Sequence, residues 1–187
     1  MWTTTVESHR HEVREAILTA VDRIVDEQGL LSLRMTQIAD AAGIGRATLY
    51  KYFPDVEDVL SAWHRRLVDR HLAELTALRD GPGTAGERLR SVLAFWLEIA
   101  GRRHHPGAQV ASALHRDGHV GEAERRLQDL VAELIDEAAA TGVVRSDVPA
   151  SELAAYCLHA LGAGAELESA GRDRLLELVW LSLHKHG

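Results

Sequence analysis

The cationic side chains between residues 34 and 51 are those best placed to bind an anion. This segment contains Arg34, Arg46 and Lys51 but only one acidic residue, Asp40, so its charge is +2. Because the whole chain carries −7, the remainder carries −9. A basic segment on an acidic protein can contact phosphate groups at one place while the rest of the surface avoids non-specific adhesion. An ordinary fluctuation of surface composition is the alternative explanation.

Two short predicted helices joined by a tight turn carry this basic segment. The first has an apolar face that includes residues 38–39, and Gly43 follows where the chain must turn. The second is predicted over about 46–52, with Leu49 buried. The side chains left toward solvent or a ligand are Arg46, Thr48, Tyr50, Lys51 and Tyr52. This pattern is typical of a helix-turn-helix, whose second helix enters the major groove of DNA.

Helical periodicity continues through the rest of the chain. Hydrophobic residues make up 46%, aromatic residues only 5%, and there are four prolines, which favours a helical protein. The apolar spacing predicts about nine helices. Besides the two already described, these cover approximately 8–28, 55–79, 84–100, 108–116, 120–138, 150–168 and the residues after 171. The predicted fold is all-α, with an N-terminal three-helix helix-turn-helix domain (residues 1–54) and a C-terminal helical bundle (residues 55–187).

Several classes of protein are not expected from the sequence. The single cysteine, Cys157, cannot form an internal disulfide and is expected to be a small buried apolar residue. The N-terminus lacks signal-peptide features, and the most apolar stretch, 153–167, is shorter than the ~20 residues of a membrane helix. We therefore expect a cytoplasmic protein. Without a Gly-x-Ser-x-Gly motif, a phosphate-cradling loop or a zinc signature, we expect no enzyme activity, cofactor or metal.

With the helix-turn-helix near its N-terminus and further helices behind it, the chain resembles the TetR/AcrR-like transcriptional regulators. The residues that carry the resemblance are Ile38-Ala39, Ala42-Gly43-Ile44, Thr48-Leu49-Tyr50 and Tyr52-Phe53-Pro54. The match in pattern covers about 10–62. It implies a homodimer that binds an inverted-repeat operator, usually represses transcription, and leaves DNA when a small molecule enters the C-terminal domain. Two recognition helices would then lie about one duplex turn apart, ~34–36 Å.

The resemblance also implies which side chains contact DNA. Arg46 lies where a base-reading residue begins the second helix of the motif, and its guanidinium can bind O6 and N7 of guanine. Thr48 is placed for a thymine methyl group or a phosphate, and Lys51 for a phosphate. The full expected set is Arg34, Thr36, Gly45, Arg46, Ala47, Thr48, Tyr50, Lys51 and Tyr52. For the two tyrosines, packing against the first helix is the alternative.

Three positions depart from the family pattern. Arg34 replaces a common threonine cap, which moves the expected cap to Ser32 and leaves the arginine able to reach a phosphate. Gly45 replaces a serine, which caps a helix more firmly than glycine does. Val56 replaces a lysine and removes one expected phosphate contact. Affinity for DNA is therefore expected to depend more heavily on the remaining cations.

For two tryptophans at helical core spacing, Trp63 and Trp96, ordinary core packing is the default interpretation, and lining of an effector pocket is the functional alternative. The predicted pocket residues are Trp63, Leu67, Leu93, Trp96, His104 and His115. His115 and His119 also have the spacing of metal ligands on one helix face, but only if the helix continues through residues 117–118. A metal-responsive regulator is therefore an alternative function.

The last two helices are predicted to form a dimer surface, because their apolar residues exceed the width of one buried face. Those residues are Leu153, Tyr156, Cys157, Ala160, Leu161 and Gly164. The predicted interface consists of Ala154, Leu158, Leu161, Gly162, Leu176 and Trp180, with Trp180 as an anchor. A helix fully buried within one protomer is the structural alternative. The functional alternative is an all-helical small-molecule-binding protein or enzyme whose helix-turn-helix is only structural.

Overall fold

The computed structural model describes residues 2–102 and 118–184, and the side chains within 8–30, 32–101 and 121–184. These residues form eight α-helices and no strand, which confirms the all-α prediction. The helices are α1 (Trp2–Gln28), α2 (Met35–Ala42), α3 (Arg46–Tyr52), α4 (Val56–Arg79), α5 (Ala85–Arg102), α6 (Gly118–Ala140), α7 (Ala150–Gly162) and α8 (Ser169–Ser182). Short 3₁₀ turns occupy Leu30–Ser32 and Ala163–Glu166.

Within the described residues the chain divides into two compact units, and α4 runs from one into the other. The first unit ends at Leu67 and the second begins at Val68. The division falls later than the boundary expected after residue 54 because Val59, Leu60 and Ala62 of α4 pack into the core of the first unit. The first unit thus contains the helix-turn-helix together with the first half of α4.

The core of the first unit is built around one face of α1. Ile17, Val21 and Ile24 recur at the helical period and are buried. They pack in one cluster with Ile38 of α2 and Leu49 of α3, both of which have no exposed surface. Each short helix therefore contributes a fully buried side chain to the same core, which holds the motif against α1.

Glycines with positive φ end the first two helices. Gly29 follows α1 with φ 79°, and Gly43 follows α2 with φ 67°. A Cβ added at Gly43 would meet no atom within 4 Å. The backbone conformation, rather than close packing, is therefore the reason for glycine at the turn of the motif.

The second unit packs α5 against α6, α7 and α8. Its buried cluster includes Leu89 and Leu93 of α5, Leu134 of α6 and Leu161 of α7. The pair Thr84 and Glu87 caps the start of α5: the Thr84 backbone N–H donates to Glu87 Oε2 at 2.8 Å, and the Glu87 N–H donates to Thr84 Oγ1 at 3.3 Å. The Thr84 hydroxyl also donates to Glu87 Oε2 at 2.9 Å, and the two bonds that this carboxylate accepts from Thr84, from its backbone N–H and its hydroxyl, lower the pKa of the Glu87 carboxyl group.

Two helix boundaries differ from those predicted. α7 ends at Gly162, earlier than the expected 168, and the chain continues as a 3₁₀ turn. At Gly164 in this turn an added Cβ would lie 2.2 Å from Leu97 Cδ1, so glycine permits a close approach to α5. α8 begins at Ser169, before Gly171 rather than after it.

Some predictions concern residues outside the described ranges. These are the short helix over 108–116 and the side chains of His104, His115 and His119. Among the helices that the structure describes, none has the length and apolarity needed to cross a bilayer.

Candidate nucleic-acid interface

The turn between α2 and α3 is closed by backbone hydrogen bonds and one apolar side chain. The Gly43 N–H donates to Asp40 O at 3.2 Å, and the Ile44 N–H donates to Ala39 O at 3.0 Å. Ile44 is partly buried and packs against the first core. The arrangement of α2 and α3 is therefore determined by nearby residues, namely a glycine in the left-handed backbone conformation and an apolar contact.

α1 stabilises the two ends of α2 through side chains that the sequence analysis did not single out. Arg23 Nη2 donates to Ala41 O at 2.6 Å, which pairs a carbonyl in the last turn of α2 with a cation. Near the start of α2, Gln37 Nε2 donates to Gln28 Oε1 at 2.5 Å. Arg23 lies eighteen residues from Ala41 in sequence, so periodicity within one helix gave no signal for this contact.

α3 presents a polar face to solvent while one side chain anchors it. Leu49 has no exposed surface, and Phe53, which follows the helix, is buried. The exposed residues of this helix and its N-cap are Gly45, Arg46, Ala47, Tyr50 and Lys51, with Thr48 half-buried. Tyr50 is 53% exposed. Tyr52 is partly buried and packs against the first core, so for this tyrosine the packing alternative describes at least part of its role.

The basic side chains of the motif are not neutralised by any carboxylate that the structure describes. Arg34, Arg46 and Lys51 are all exposed. No carboxylate among the described residues forms an ion pair with any of them. Their charges are therefore available to an external anion. Thr36, in the first turn of α2, is also exposed.

The expected shift of the α2 cap to Ser32 is wrong. Ser32 Oγ donates to Gly29 O at 2.7 Å, so this hydroxyl stabilises the preceding 3₁₀ turn instead. Arg34 occupies the N-cap position with extended backbone (φ −138°, ψ 145°) and makes no side-chain capping bond. Because the Arg34 side chain makes no bond to the start of α2, its guanidinium is free to lie in solvent, and Arg34 is exposed.

The start of α4 is fastened to α1 by a shared carboxylate. Trp63 Nε1 donates to Asp22 Oδ1 at 2.7 Å, and Arg66 Nη2 donates to Asp22 Oδ2 at 2.5 Å. Arg66 also pairs with Glu15 at 3.1 Å. Trp63 packs against the core of the first unit, whereas Trp96 packs against that of the second, which places these two predicted pocket residues in different cores.

Two family models together match most of this chain. Residues 17–62 match the family "Bacterial regulatory proteins, tetR family". Residues 89–184, half of the chain, match "Transcriptional regulator SbtR-like, C-terminal domain". The chain belongs to the TetR family. The N-terminal match contains both helices of the motif and its turn, so the resemblance seen in the sequence is confirmed.

Similar TetR-family proteins come from several bacteria. The chain is 30% identical over 112 residues to the HTH-type transcriptional regulator AcrR of Shigella flexneri, covering 59% of this chain and 52% of AcrR. It is 31% identical over 90 residues to the HTH-type transcriptional repressor LfrR of Mycolicibacterium smegmatis, covering 48% and 47%. The chain thus spans about half the length of these relatives.

A solved structure matches over nearly the whole chain. The TetR transcriptional regulator SCO0520 from Streptomyces coelicolor superimposes with a TM-score of 0.66 at 28% sequence identity, covering 93% of this chain and 99% of SCO0520. The match extends through both compact units. The TetR-type fold is therefore shared by the C-terminal helices, whose sequence pattern alone indicated only a helical bundle.

The predicted pocket residues of the second unit lie mainly in its core. Leu93 has no exposed surface. Trp96 is partly buried and its Nε1 donates to Leu158 O at 3.2 Å. A separate shallow cleft of about 360 Å³ lies where α6 leads into α7 and is lined in part by Ile135, Arg145 and Pro149. None of the predicted pocket residues that the structure describes, Trp63, Leu67, Leu93 and Trp96, lines this cleft.

The predicted dimer residues fall into two groups. Ala154 and Leu161 have no exposed surface and pack in the core of their own protomer, so they cannot contact a partner directly. Leu158, Gly162, Leu176 and Trp180 are partly exposed. Trp180 contacts its own protomer on two sides, since the Arg90 guanidinium lies 5.4 Å from its ring centroid and the His184 ring lies 5.2 Å away. The anchor expected at Trp180 is therefore already packed.

Two of the three largest exposed apolar side chains of the last two helices were not named in the prediction, and the third, Tyr156, was among the apolar residues that indicated a dimer surface but was not in the predicted interface. Leu178 is 65% exposed, Leu181 57% and Tyr156 48%. Leu178 and Leu181 lie one turn apart on α8, and Tyr156 lies on α7. The sequence contained a signal for them, because the last helix and its C-cap carry two apolar rows: Leu178 and Leu181, three positions apart, and Val179 and Leu183, four positions apart. Only the second row is buried.

Proposed function

We propose that the protein is a transcriptional regulator that binds an inverted-repeat operator as a homodimer through α2 and α3. The observation that carries this proposal is the pairing of a buried Leu49 with an outer face of α3 whose cations, Arg46 and Lys51, have no carboxylate partner among the described residues. A helix whose apolar side chain is packed in the core, and whose basic side chains form no ion pair with the described carboxylates, is suited to insertion into the major groove.

The side chains of this surface divide between reading and positioning. Arg46, at the first position of α3, reads a guanine through bidentate hydrogen bonds. Lys51 and Arg34 bind phosphates, which fixes the register of the helix on the duplex. The small residues Gly45 and Ala47 let the helix approach the bases closely. The remaining contacts come from Thr36, Thr48, Tyr50 and Tyr52.

A second copy of the chain covers the exposed apolar side chains of α7 and α8 in this proposal. Tyr156, Leu178 and Leu181 expose large apolar groups on neighbouring helices of one unit. A two-fold axis places the same patch on both copies, which generates a self-complementary interface. The same axis presents two copies of α3 to the two halves of an inverted repeat.

In this proposal the protein is a cytoplasmic repressor. It releases DNA when it binds a small molecule. One relative, LfrR, is named a transcriptional repressor. We place the effector in the C-terminal unit beside Trp96, with Leu93 behind that side chain. Trp96 is chosen because it is a partly exposed aromatic residue of the predicted pocket set. A ligand acts by preferring a conformation whose recognition helices do not fit the operator.

Selection from a pool of random duplexes at physiological salt tests the proposal. Repeated rounds of capture by the full-length protein should enrich an inverted repeat with half-sites about 10 base pairs apart, or a multiple of one duplex turn. Light scattering should show a dimer at micromolar concentration. Enrichment of no sequence, or a monomer that binds single half-sites, would contradict the proposal.

A further inference from the structure

A cation on α1 lies against the end of the recognition helix. The Arg14 guanidinium is 4.7 Å from the centroid of the Phe53 ring. Phe53 directly follows α3, and α4 begins three residues later. Phe53 is buried whereas Arg14 is exposed, so a positive charge lies at the surface beside the junction of α3 and α4.

This guanidinium has no partner of opposite charge among the residues that the structure describes. The neighbouring carboxylates on α1 are engaged elsewhere: Glu12 accepts from Ser8 at 3.2 Å, and Glu15 accepts from Arg66 at 3.1 Å. Among the residues that the structure describes, none accepts a hydrogen bond from Arg14. Contact with an aromatic face uses none of the five guanidinium N–H donors, so all remain available to an external acceptor.

Arg10 lies one helical turn before Arg14 on the same face of α1. Both side chains are exposed, and Arg10 likewise has no carboxylate partner within the described residues. Like charges four positions apart destabilise an isolated helix. A bound anion would offset this repulsion. The contact with Phe53 gives Arg14 a defined position relative to α3.

We propose that Arg14 binds a DNA backbone phosphate and extends the DNA-contacting surface from the helix-turn-helix onto α1. This proposal rests on the proposed function and adds a residue to it. Arg14 donates to a phosphate oxygen while its stem stays packed on Phe53. Since the phosphate carries no sequence information, Arg14 contributes equally to specific and non-specific binding and positions α3 without reading a base.

The test measures DNA affinity as a function of KCl concentration with fluorescein-labelled duplexes. Two probes are used: the duplex enriched by selection and a 40-base-pair duplex of random sequence. The neutral variants Arg14→Met and Arg14→Gln lack the charge, Arg14→Lys keeps it, and Arg125→Met removes an exposed arginine from α6 as a matched control. Thermal melting of each variant reports any effect on stability.

The neutral variants should lower affinity on the order of tenfold on both probes, and should reduce the magnitude of the slope of log K against log [KCl] by about 0.9. Arg14→Lys should retain the parental slope, and Arg125→Met should match the parent. A lower melting temperature with an unchanged slope would overturn the proposal and leave Arg14 a packing role. A loss confined to the selected duplex would also overturn it, and failure of the parent to bind either probe would overturn the proposed function as well.

Discussion

The indole N–H of Trp63 donates to the carboxylate of Asp22 at 2.7 Å. The other oxygen of this carboxylate accepts from Arg66 at 2.5 Å. Three side chains from α1 and α4 are thereby joined within the first unit. This connection holds the first half of α4 to the helix against which the recognition motif also packs.

Removing this carboxylate should destabilise the first unit. Asp22→Ala leaves the partly buried indole N–H of Trp63 without this acceptor and removes one of the two carboxylates that pair with Arg66, which we expect to cost about 1–3 kcal/mol. Thermal and urea unfolding followed by circular dichroism measure the loss. Asp26→Ala, an exposed position one turn later on α1, is the matched control and should change stability little. Equal effects of the two substitutions would show that the hydrogen bonds do not stabilise the fold.

The turn of the motif should be sensitive to backbone conformation alone. Gly43→Ala introduces a Cβ into open space but at φ 67°, so we expect a loss of about 1–2 kcal/mol from strain. Gly121→Ala adds a Cβ to open space within α6 and should be neutral or stabilising by about 0.5–1 kcal/mol. A Gly43→Ala protein that melts at the parental temperature would refute the conformational explanation.

The proposed dimer should depend on the exposed leucines of α8. The double substitution Leu178→Asp and Leu181→Asp places charges on a surface that the partner would desolvate, and should convert the dimer to a folded monomer. Sedimentation velocity measures the change. Val143→Asp alters an exposed apolar residue between α6 and α7 and should leave the dimer intact. If the double variant still sedimented as a dimer, another surface would have to form the interface.

The cysteine should be unreactive while the protein is folded. Cys157 has no exposed surface, and burial raises its pKa to about 12. At pH 8 a thiol reagent should therefore modify it only in unfolding buffer. Fast modification of the native protein would contradict this.

The same pKa predicts a loss of stability at high pH. The native thiol stays protonated where the unfolded thiol ionises, so the unfolded state binds fewer protons between about pH 9 and 12. The free energy of unfolding should consequently fall with rising pH in this range. Urea unfolding at several pH values measures this, and Cys157→Ala should remove the cysteine's part of the slope.

Local patterns in the sequence predicted much of the fold and the burial or exposure of residues in the candidate nucleic-acid interface. The buried positions Ile38 and Leu49, the turn at Gly43 and the exposed cations Arg46 and Lys51 follow from helical spacing and turn chemistry. These are short-range features, because each depends on residues within one or two turns.

Contacts between residues distant in sequence could not be predicted in this way. Arg66 meets Asp22 across 44 positions, and Arg14 reaches Phe53 only after the chain has turned back on α1. The burial of Ala154 and Leu161 depended on which face of α7 meets α5 and α6, which an all-round apolar helix does not reveal. Packing between residues distant in sequence therefore determined which apolar residues are buried and which are exposed.

The most direct test of the central claim compares Arg46→Ala with Lys51→Ala on the selected operator and on a set of duplexes with single base-pair changes. Arg46→Ala should cost roughly 1–3 kcal/mol on the selected site and abolish the preference for one base pair in each half-site. Lys51→Ala should weaken binding to every duplex by a similar factor and reduce the salt slope by about 1. An Arg46→Ala protein that binds all duplexes with parental affinity and preference would contradict the assignment of α3 as the helix that reads DNA through Arg46.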